Sequence, residues 1–220
     1  MALSSVWVDE FDAAAGTGLD ATRWTVIDAK HALFSLGHTG TALRYGTIAS
    51  YADTLILQST VQLTSELFEL SLDFSRSVLN AVTDIAVGLG IVKADGTNLY
   101  GIRFYKSSTA NRIQNAVGVW TTSTQTFTIN STINPVKIYL RKTGATTWLV
   151  GYWNGSSWYT LAAYTRDLGP PPYYVRLYAY RGASYPTVNI DFNTLTMISG
   201  AASGSIFPSN FDATKGLFLI

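Results

Sequence analysis

The chain of 220 residues has no cysteine, only two histidines and few charged side chains, which make up 13% of it. Without cysteine it cannot form a disulfide framework or a thiolate metal site, and His31 and His38 are too few for a histidine-rich metal site. The net charge of +1 gives no reason to expect nucleic-acid binding, which needs a concentration of basic residues. No apolar run approaches the roughly 18 residues that cross a bilayer, so we expect no membrane insertion.

The N-terminal residues MALSSVWVDEFD lack the basic stretch and the long apolar segment of a secretion signal. We therefore expect no signal peptide. Hydrophobic residues make up 47% of the chain, and a chain of this length can bury enough apolar surface to fold without disulfides. These properties predict one large globular domain.

Apolar and polar side chains alternate along many short segments of the chain. The segments 137–142 (KIYLRK) and 173–180 (YYVRLYAY) place basic and aromatic residues on one side and mostly aliphatic residues on the other. A period of two is typical of a β-strand with one buried face. Turn signals such as Asp95-Gly96 and Asn154-Gly155 separate these segments, and no segment sustains a helical period. The pattern predicts an all-β sandwich or barrel, with antiparallel hairpins around these two turns.

The polar face of these strands is the candidate binding surface. Tyrosine offers a flat apolar ring to the C–H groups of a sugar, and arginine or glutamine offers planar hydrogen-bonding groups. The same residue types are enriched at protein–protein hot spots, so the surface fits a glycan or a protein partner equally well. Trp120, Trp148 and Trp153 lie near strand ends, where a tryptophan can close over a ligand, whereas Trp7, Trp24 and Trp158 fit a core. The candidate residues are Arg103, Tyr105, Arg112, Gln114, Tyr139, Arg141, Arg176, Tyr178 and Tyr180.

The composition changes after residue 198. Residues 199–204 (SGAASG) have the composition of a flexible linker, and residues 217–220 (LFLI) are all apolar. One interpretation is a frayed tail. The sharper hypothesis is a domain over residues 1–198 followed by an arm, residues 199–220, that docks on a neighbouring subunit and makes the protein an oligomer.

Several motifs resemble those of the concanavalin A-like lectin/glucanase superfamily, including its laminin G-like branches. The resemblance implies a two-sheet antiparallel jelly-roll sandwich, with function on a concave sheet face or on the loops at one edge. This superfamily includes hydrolases, lectins and structural modules, so the fold does not set the function. The motifs that carry the resemblance are VWVDEFD (6–12), GLDATRW (18–24), VGLGIVKADGTNLYGIRFY (87–105), VKIYLRKTGATTWLVGYWNGSSWYTL (136–161) and VNIDFNTLTM (188–197).

The resemblance also implies a structural calcium ion, because members of the superfamily often carry one that ties the first and last strands together. Calcium takes hard oxygen ligands, and Asp9, Glu10 and Asp191 match that layout, with Asp20 as a further oxygen donor. The alternative is that Asp191 caps a turn or pairs with an arginine.

Paired carboxylates, the mark of a glycoside hydrolase, are missing at the expected spacing. Hydrolysis needs two carboxyl groups roughly 5 to 9.5 Å apart. The nearest candidates, Glu69 and Asp73, share a strand face but lie about 13 Å apart along it, and Glu66 points to the other face. We expect these carboxylates to be outward and solvated, and the protein not to be an enzyme.

Three hypotheses for function follow. The preferred one is a non-enzymatic, lectin-like surface subunit of a virion or similar assembly, such as a capsid decoration or tail protein, that also binds host glycans. It predicts a location on the virion surface, or outside the cell after release. The alternatives are a stand-alone carbohydrate-binding module and, last, a glycoside hydrolase-like enzyme.

Overall fold

The computed structural model describes residues 5–29, 35–47, 52–76, 84–107, 110–121, 126–129, 136–153, 157–182, 188–200, 211–212 and 217–218. Every regular element in these ranges is a β-strand, and none of them contains a helix that is long and apolar enough to cross a membrane. The strands are Ser5–Asp9 (β1), Trp24–Ala29 (β2), Ser35–His38 (β3), Leu43–Thr47 (β4), Asp53–Leu63 (β5), Phe68–Arg76 (β6), Ile85–Lys93 (β7), Leu99–Lys106 (β8), Asn111–Gly118 (β9), Thr126–Ile129 (β10), Val136–Lys142 (β11), Thr147–Trp153 (β12), Trp158–Thr165 (β13), Tyr173–Arg181 (β14), Val188–Ser199 (β15), Phe211–Asp212 (β16) and Leu217–Phe218 (β17).

Two antiparallel sheets are stacked face to face. Sheet A has the strand order β13-β12-β11-β6-β15-β4-β3, and β1 also pairs with β15. Sheet B has the order β10-β9-β8-β7-β14-β5-β2. The predicted all-β sandwich is therefore confirmed.

The core lies between the sheets and takes alternate residues from each strand. In β14, Val175 and Leu177 are fully buried in this core, and in β11 Ile138 and Leu140 face it from the other sheet. At one end an aromatic group joins the two layers: the ring of Trp148 lies 4.9 Å from that of Tyr100 and 5.7 Å from that of Phe68. The period of two in the sequence predicted these buried faces.

The two hairpins predicted from Gly-containing turns both form. Gly96, at a positive φ of 80°, donates to the Lys93 carbonyl, and Asp95 Oδ1 accepts from the Thr97 amide at 2.9 Å, which closes the turn between β7 and β8. Strands β12 and β13 also pair, with Trp153 opposite Trp158. The Asn154-Gly155 turn between them lies outside the described residues.

The C-terminal segment is described only in part. Strand β15 continues to Ser199, and β16 and β17 pair with each other, with β17 next to β13 at the edge of sheet A. The rest of the predicted linker and arm lies outside the described residues, so the boundary near residue 198 stays a prediction.

Candidate functional site

The candidate site lies on the outer face of sheet B, opposite the core. The register aligns Tyr178 of β14, Gly88 of β7, Arg103 of β8 and Gln114 of β9 in one row across four strands. The next row aligns Tyr180, Ala86, Tyr105 and Arg112 in the same way. Neighbouring rows bring together polar and aromatic side chains that are up to 77 residues apart in sequence (Arg103 to Tyr180).

A cavity of about 350 Å³ opens on these two rows. Its volume falls at the lower end of the range that small-ligand pockets occupy. Three phenol rings, one guanidinium and one carboxamide line it, so it combines flat apolar surfaces with planar hydrogen-bonding groups. The lining residues are Ala86, Arg103, Tyr105, Gln114, Thr121, Tyr178 and Tyr180.

Trp120 supports one side of this cavity. Its indole stacks on the Tyr178 ring at 4.9 Å between centroids, with the planes 10° apart. It lies flat on β7 because Gly88 and Gly90 have no side chain: a Cβ on Gly88 would be 2.5 Å from the indole. This packing fixes Tyr178 and places the next residue, Thr121, in the cavity wall.

Arg103 lies at the base of the site with only 8% of its surface exposed. Its Nε donates to Gln114 Oε1 at 3.0 Å, its Nη2 donates to the Thr121 carbonyl at 3.2 Å, and the guanidinium lies 5.4 Å from the centre of the Tyr105 ring. Gln114 is held in turn, because its Nε2 donates to Thr126 Oγ1 at 3.0 Å. Burial lowers the pKa of Arg103 from its usual value, but an arginine keeps its charge in proteins.

The tyrosines of the site are neutral hydrogen-bonding groups at physiological pH. Burial, together with the hydrogen bond from Tyr105 to Asp84 Oδ1 at 2.7 Å, raises the pKa of Tyr105 to about 12. Burial is also the main reason that the pKa values of Tyr178 and Tyr180 are raised. Each phenol can therefore donate or accept a hydrogen bond while its ring offers an apolar face.

The expectation of a single tyrosine and arginine surface is wrong for two of its members. Tyr139 and Arg141 belong to β11, which is in sheet A, so they face away from the cavity on the opposite side of the sandwich. Arg112 and Arg176 do lie on the outer face of sheet B, but neither lines the cavity. The Nε of Arg176 is bound to Gln58 Oε1 at 2.9 Å.

The tryptophan expectations are corrected in part. Trp120 is 5% exposed beneath the site instead of closing over a ligand, and Trp148 is a core residue. Trp153 packs on Trp158 at 5.4 Å on the outer face of sheet A, so Trp158 is buried there and not in the central core as expected. Trp7 and Trp24 do pack together between the sheets, at 6.2 Å.

Opposite charges are paired on the outer face of sheet A. Glu69 forms an ion pair with Arg141 at 3.0 Å, and Asp73 forms one with Lys137 at 3.0 Å; both pairs join β6 to β11. Tyr139 lies between the two pairs with its ring 5.1 Å from that of Trp158. The carboxylates do point outward, as expected, but Glu69 is only 4% exposed, so the expectation that it would be solvated is wrong.

The three proposed calcium ligands do not come together. The Asp9 carboxylate accepts from Trp24 Nε1 at 2.9 Å and from the Phe11 amide at 3.1 Å, while Glu10 is exposed. Asp191 holds Arg44 through two hydrogen bonds of 2.7 and 2.8 Å, which confirms the alternative of an arginine pair. Asp191 is four residues from Leu195, the residue that pairs with Asp9, so Asp191 and Asp9 are separated by roughly 13 Å along β15. No acidic or histidine cluster suited to a metal occurs in the described ranges, and these residues do not fit a calcium ion.

Comparison with solved structures identifies the architecture. Peanut lectin with a 9mer peptide aligns with a TM-score of 0.64 at 11% identity, over 90% of this chain and 98% of the lectin chain. The lumenal domain of VIP36, in a form bound to Ca2+ and Man2, aligns with a TM-score of 0.58 at 12% identity, over 96% and 93%. A beta-1,3-glucanase from Mycobacterium marinum aligns with a TM-score of 0.59 at 14% identity, over 87% and 97%.

The fold is a concanavalin A-like jelly roll. The resemblance drawn from the sequence motifs is confirmed. No protein-family model and no curated protein sequence matches the chain. At identities this low the likeness shows the fold alone, and concanavalin A-like sandwiches include both lectins and glycoside hydrolases.

Sequence reasoning missed two residues of the cavity lining and the packing of Trp120 on β7. Thr121 and Ala86 line the cavity without any pattern that marks them. The paired glycines of β7 were the available signal, since two glycines at alternate positions of a strand leave space for a large side chain on one face.

Proposed function

We propose that this concanavalin A-like domain is a lectin-like, non-enzymatic carbohydrate-binding protein whose site is the cavity on sheet B. The observation that carries the proposal is the lining: Tyr105, Tyr178 and Tyr180 beside Arg103 and Gln114. Sugar rings have apolar C–H faces and hydroxyl edges. The cavity offers aromatic surface to the C–H faces and planar hydrogen-bond donors and acceptors to the hydroxyl groups.

The carboxylates near the cavity support a binding role in preference to hydrolysis. A hydrolase needs two carboxyl groups on either side of the scissile bond. Asp84 accepts a hydrogen bond from the Tyr105 hydroxyl group, and the charge of Asp28 helps to raise the pKa of Tyr178. Neither of them lines the cavity.

The test is a glycan array with the purified domain, followed by calorimetry on the best ligand with Tyr180→Ala. The control is Tyr159→Ala, which removes an equally large ring from β13 at the edge of sheet A, where Tyr159 stacks on Tyr152 and is 43% exposed. We expect Tyr180→Ala to weaken binding at least about fivefold, which corresponds to roughly 1 kcal/mol, and Tyr159→Ala to leave it unchanged. Equal effects of the two variants would place the site elsewhere. Cleavage of a bound oligosaccharide by the wild-type protein would contradict the non-enzymatic role.

A second role is supported by the C-terminal segment. The sequence after residue 200 is rich in small residues and then apolar, and its strands β16 and β17 pair with each other next to β13. The apolar residues 217–220 (LFLI) are the support for an arm that joins the domain to a neighbouring subunit of a virion or similar particle, with the glycan site exposed on the particle surface. Deleting residues 201–220 should abolish assembly and leave the thermal unfolding of the domain unchanged. A deletion variant that elutes at the same size as the full chain would refute the arm.

A further inference from the structure

We propose that the cavity on sheet B selects glycans that carry a carboxylate, such as sialosides or uronides, through Arg103. This inference rests on the proposed carbohydrate-binding function and names the ligand class. It follows from the contrast between Arg103 and the cations on the outer face of sheet A.

Three cations on the outer face of sheet A, in the part of the chain that the structure describes, each have an acidic partner close by. Arg141 pairs with Glu69 at 3.0 Å, Lys137 with Asp73 at 3.0 Å, and Arg44 with Asp191 at 2.7 Å. All three side chains are at least partly exposed to solvent, where a charged group carries little desolvation penalty. Their charges are nevertheless neutralised within the protein.

Arg103 shows the opposite arrangement. It is 8% exposed, yet in the described ranges of the chain no carboxylate lies within ion-pair distance of its guanidinium. Its two hydrogen bonds go to neutral oxygens, the Gln114 carboxamide and the Thr121 carbonyl. The Tyr105 ring, with its centre 5.4 Å away, adds a cation–π contact but no negative charge.

A buried cation without a counter-charge is costly, and a partner of opposite charge offsets that cost. The guanidinium borders the 350 Å³ cavity, so a ligand can supply the partner there. A carboxylate matches the planar geometry of arginine better than a neutral hydroxyl group does, and charge-assisted hydrogen bonds are roughly twice as strong as neutral ones. The hydrogen bonds to Gln114 and Thr121 hold the guanidinium in place before the ligand arrives, which reduces the entropic cost of binding.

The experiment compares matched probes that differ only in the acidic group. Sialyllactose is measured against its carboxylate methyl ester, and methyl glucuronide against methyl glucoside, by ligand-observed NMR and calorimetry with the full chain. We expect at least one acidic probe to bind about tenfold or more tightly than its neutral partner, and this preference to shrink as sodium chloride is raised.

The variants assign the preference to Arg103. Arg103→Gln should remove the preference while the neutral probe still binds, and Arg103→Lys should retain part of it. Lys137→Gln removes the same charge from the opposite face and should change nothing. If Arg103→Gln does not fold, the wild-type comparison of each acidic probe with its neutral partner still decides the question.

Two results would overturn the inference, and they are distinguishable. Equal binding of acidic and neutral probes would refute the acidic selectivity and leave the carbohydrate-binding function standing. No binding of any glycan, on the array or at millimolar probe, would refute the proposed function and the inference with it.

Discussion

The contact between Gly88 and Trp120 gives the sharpest test of the site. A Cβ on residue 88 would lie 2.5 and 2.9 Å from two carbon atoms of the indole, far inside van der Waals contact, and the ring is rigid. Gly88→Ala should therefore displace Trp120 from β7 and from its stack on Tyr178. Overpacking of this kind costs about 1–3 kcal/mol of unfolding free energy.

Gly88→Ala should have the opposite effect on the free energy of unfolding when the indole is absent. Alanine restricts the unfolded chain more than glycine does, so at a position with room it stabilises by about 0.4–1 kcal/mol. In a Trp120→Ala background, Gly88→Ala should thus be neutral or slightly stabilising. The coupling in this double-mutant cycle should reach about 1.5–3 kcal/mol.

Urea unfolding of the four proteins measures this coupling, and tryptophan fluorescence and glycan binding report on the site itself. Gly18→Ala is the control, since no atom lies within 4 Å of the added Cβ and its φ is not positive. We expect the control to leave stability and binding unchanged. A Gly88→Ala cost that is the same with and without Trp120 would show that the indole does not lie on β7, and the description of the cavity wall would be wrong.

Three further predictions concern other parts of the molecule. A chelator such as EDTA should leave the melting temperature unchanged, because Asp9 and Asp20 both face Arg23 and Asp191 is paired with Arg44. A clear fall in the melting temperature would show a bound ion. Burial, with nearby carboxylates, raises the pKa of Tyr105 and Tyr173 from the usual 10 to about 12. The stability that the two protonated phenols contribute is therefore complete below pH 10 and is lost as the pH rises toward 12. In an alkaline titration, tyrosinate absorbance should therefore rise together with unfolding, and a full tyrosine titration near pH 10 in the folded protein would contradict this. Glu66→Gln should lower the free energy of unfolding by about 1–3 kcal/mol, because it leaves the fully buried ammonium of Lys142 without its carboxylate partner. The control Glu10→Gln, at an exposed position, should change the free energy of unfolding by less than about 0.5 kcal/mol. Equal urea midpoints for the two variants would refute the argument.

The sequence was sufficient to predict β11 and β14 and the side of each of these two strands that faces the core. Alternation in β11 and β14 depends only on neighbouring residues, so Ile138 and Leu177 could be assigned to the core without coordinates. The turn at Asp95-Gly96 was predictable for the same reason, since its positive φ is a local requirement. The order of the motifs was enough to suggest the jelly roll.

The composition of the site was less accessible because it depends on which strands become neighbours. Tyr139 and Tyr178 have the same local pattern, yet β11 pairs with β6 in sheet A and β14 pairs with β7 in sheet B. Long-range pairing of this kind is decided by the whole packing of the two layers. The same limit applies to Asp191: its local sequence allowed either a metal or an arginine partner, and the pairing of β15 with β4 placed Arg44 beside it.

The indole on β7 has a consequence for how this protein can diverge. Residues 88, 90 and 120 share one volume, so a larger residue at either glycine position requires a smaller one at position 120. Sequences that have this architecture but lack the two glycines should therefore have lost the tryptophan and, with it, the support behind Tyr178. The triplet is a simple criterion for finding relatives in which this recognition surface survives, even where overall identity is too low to reveal kinship.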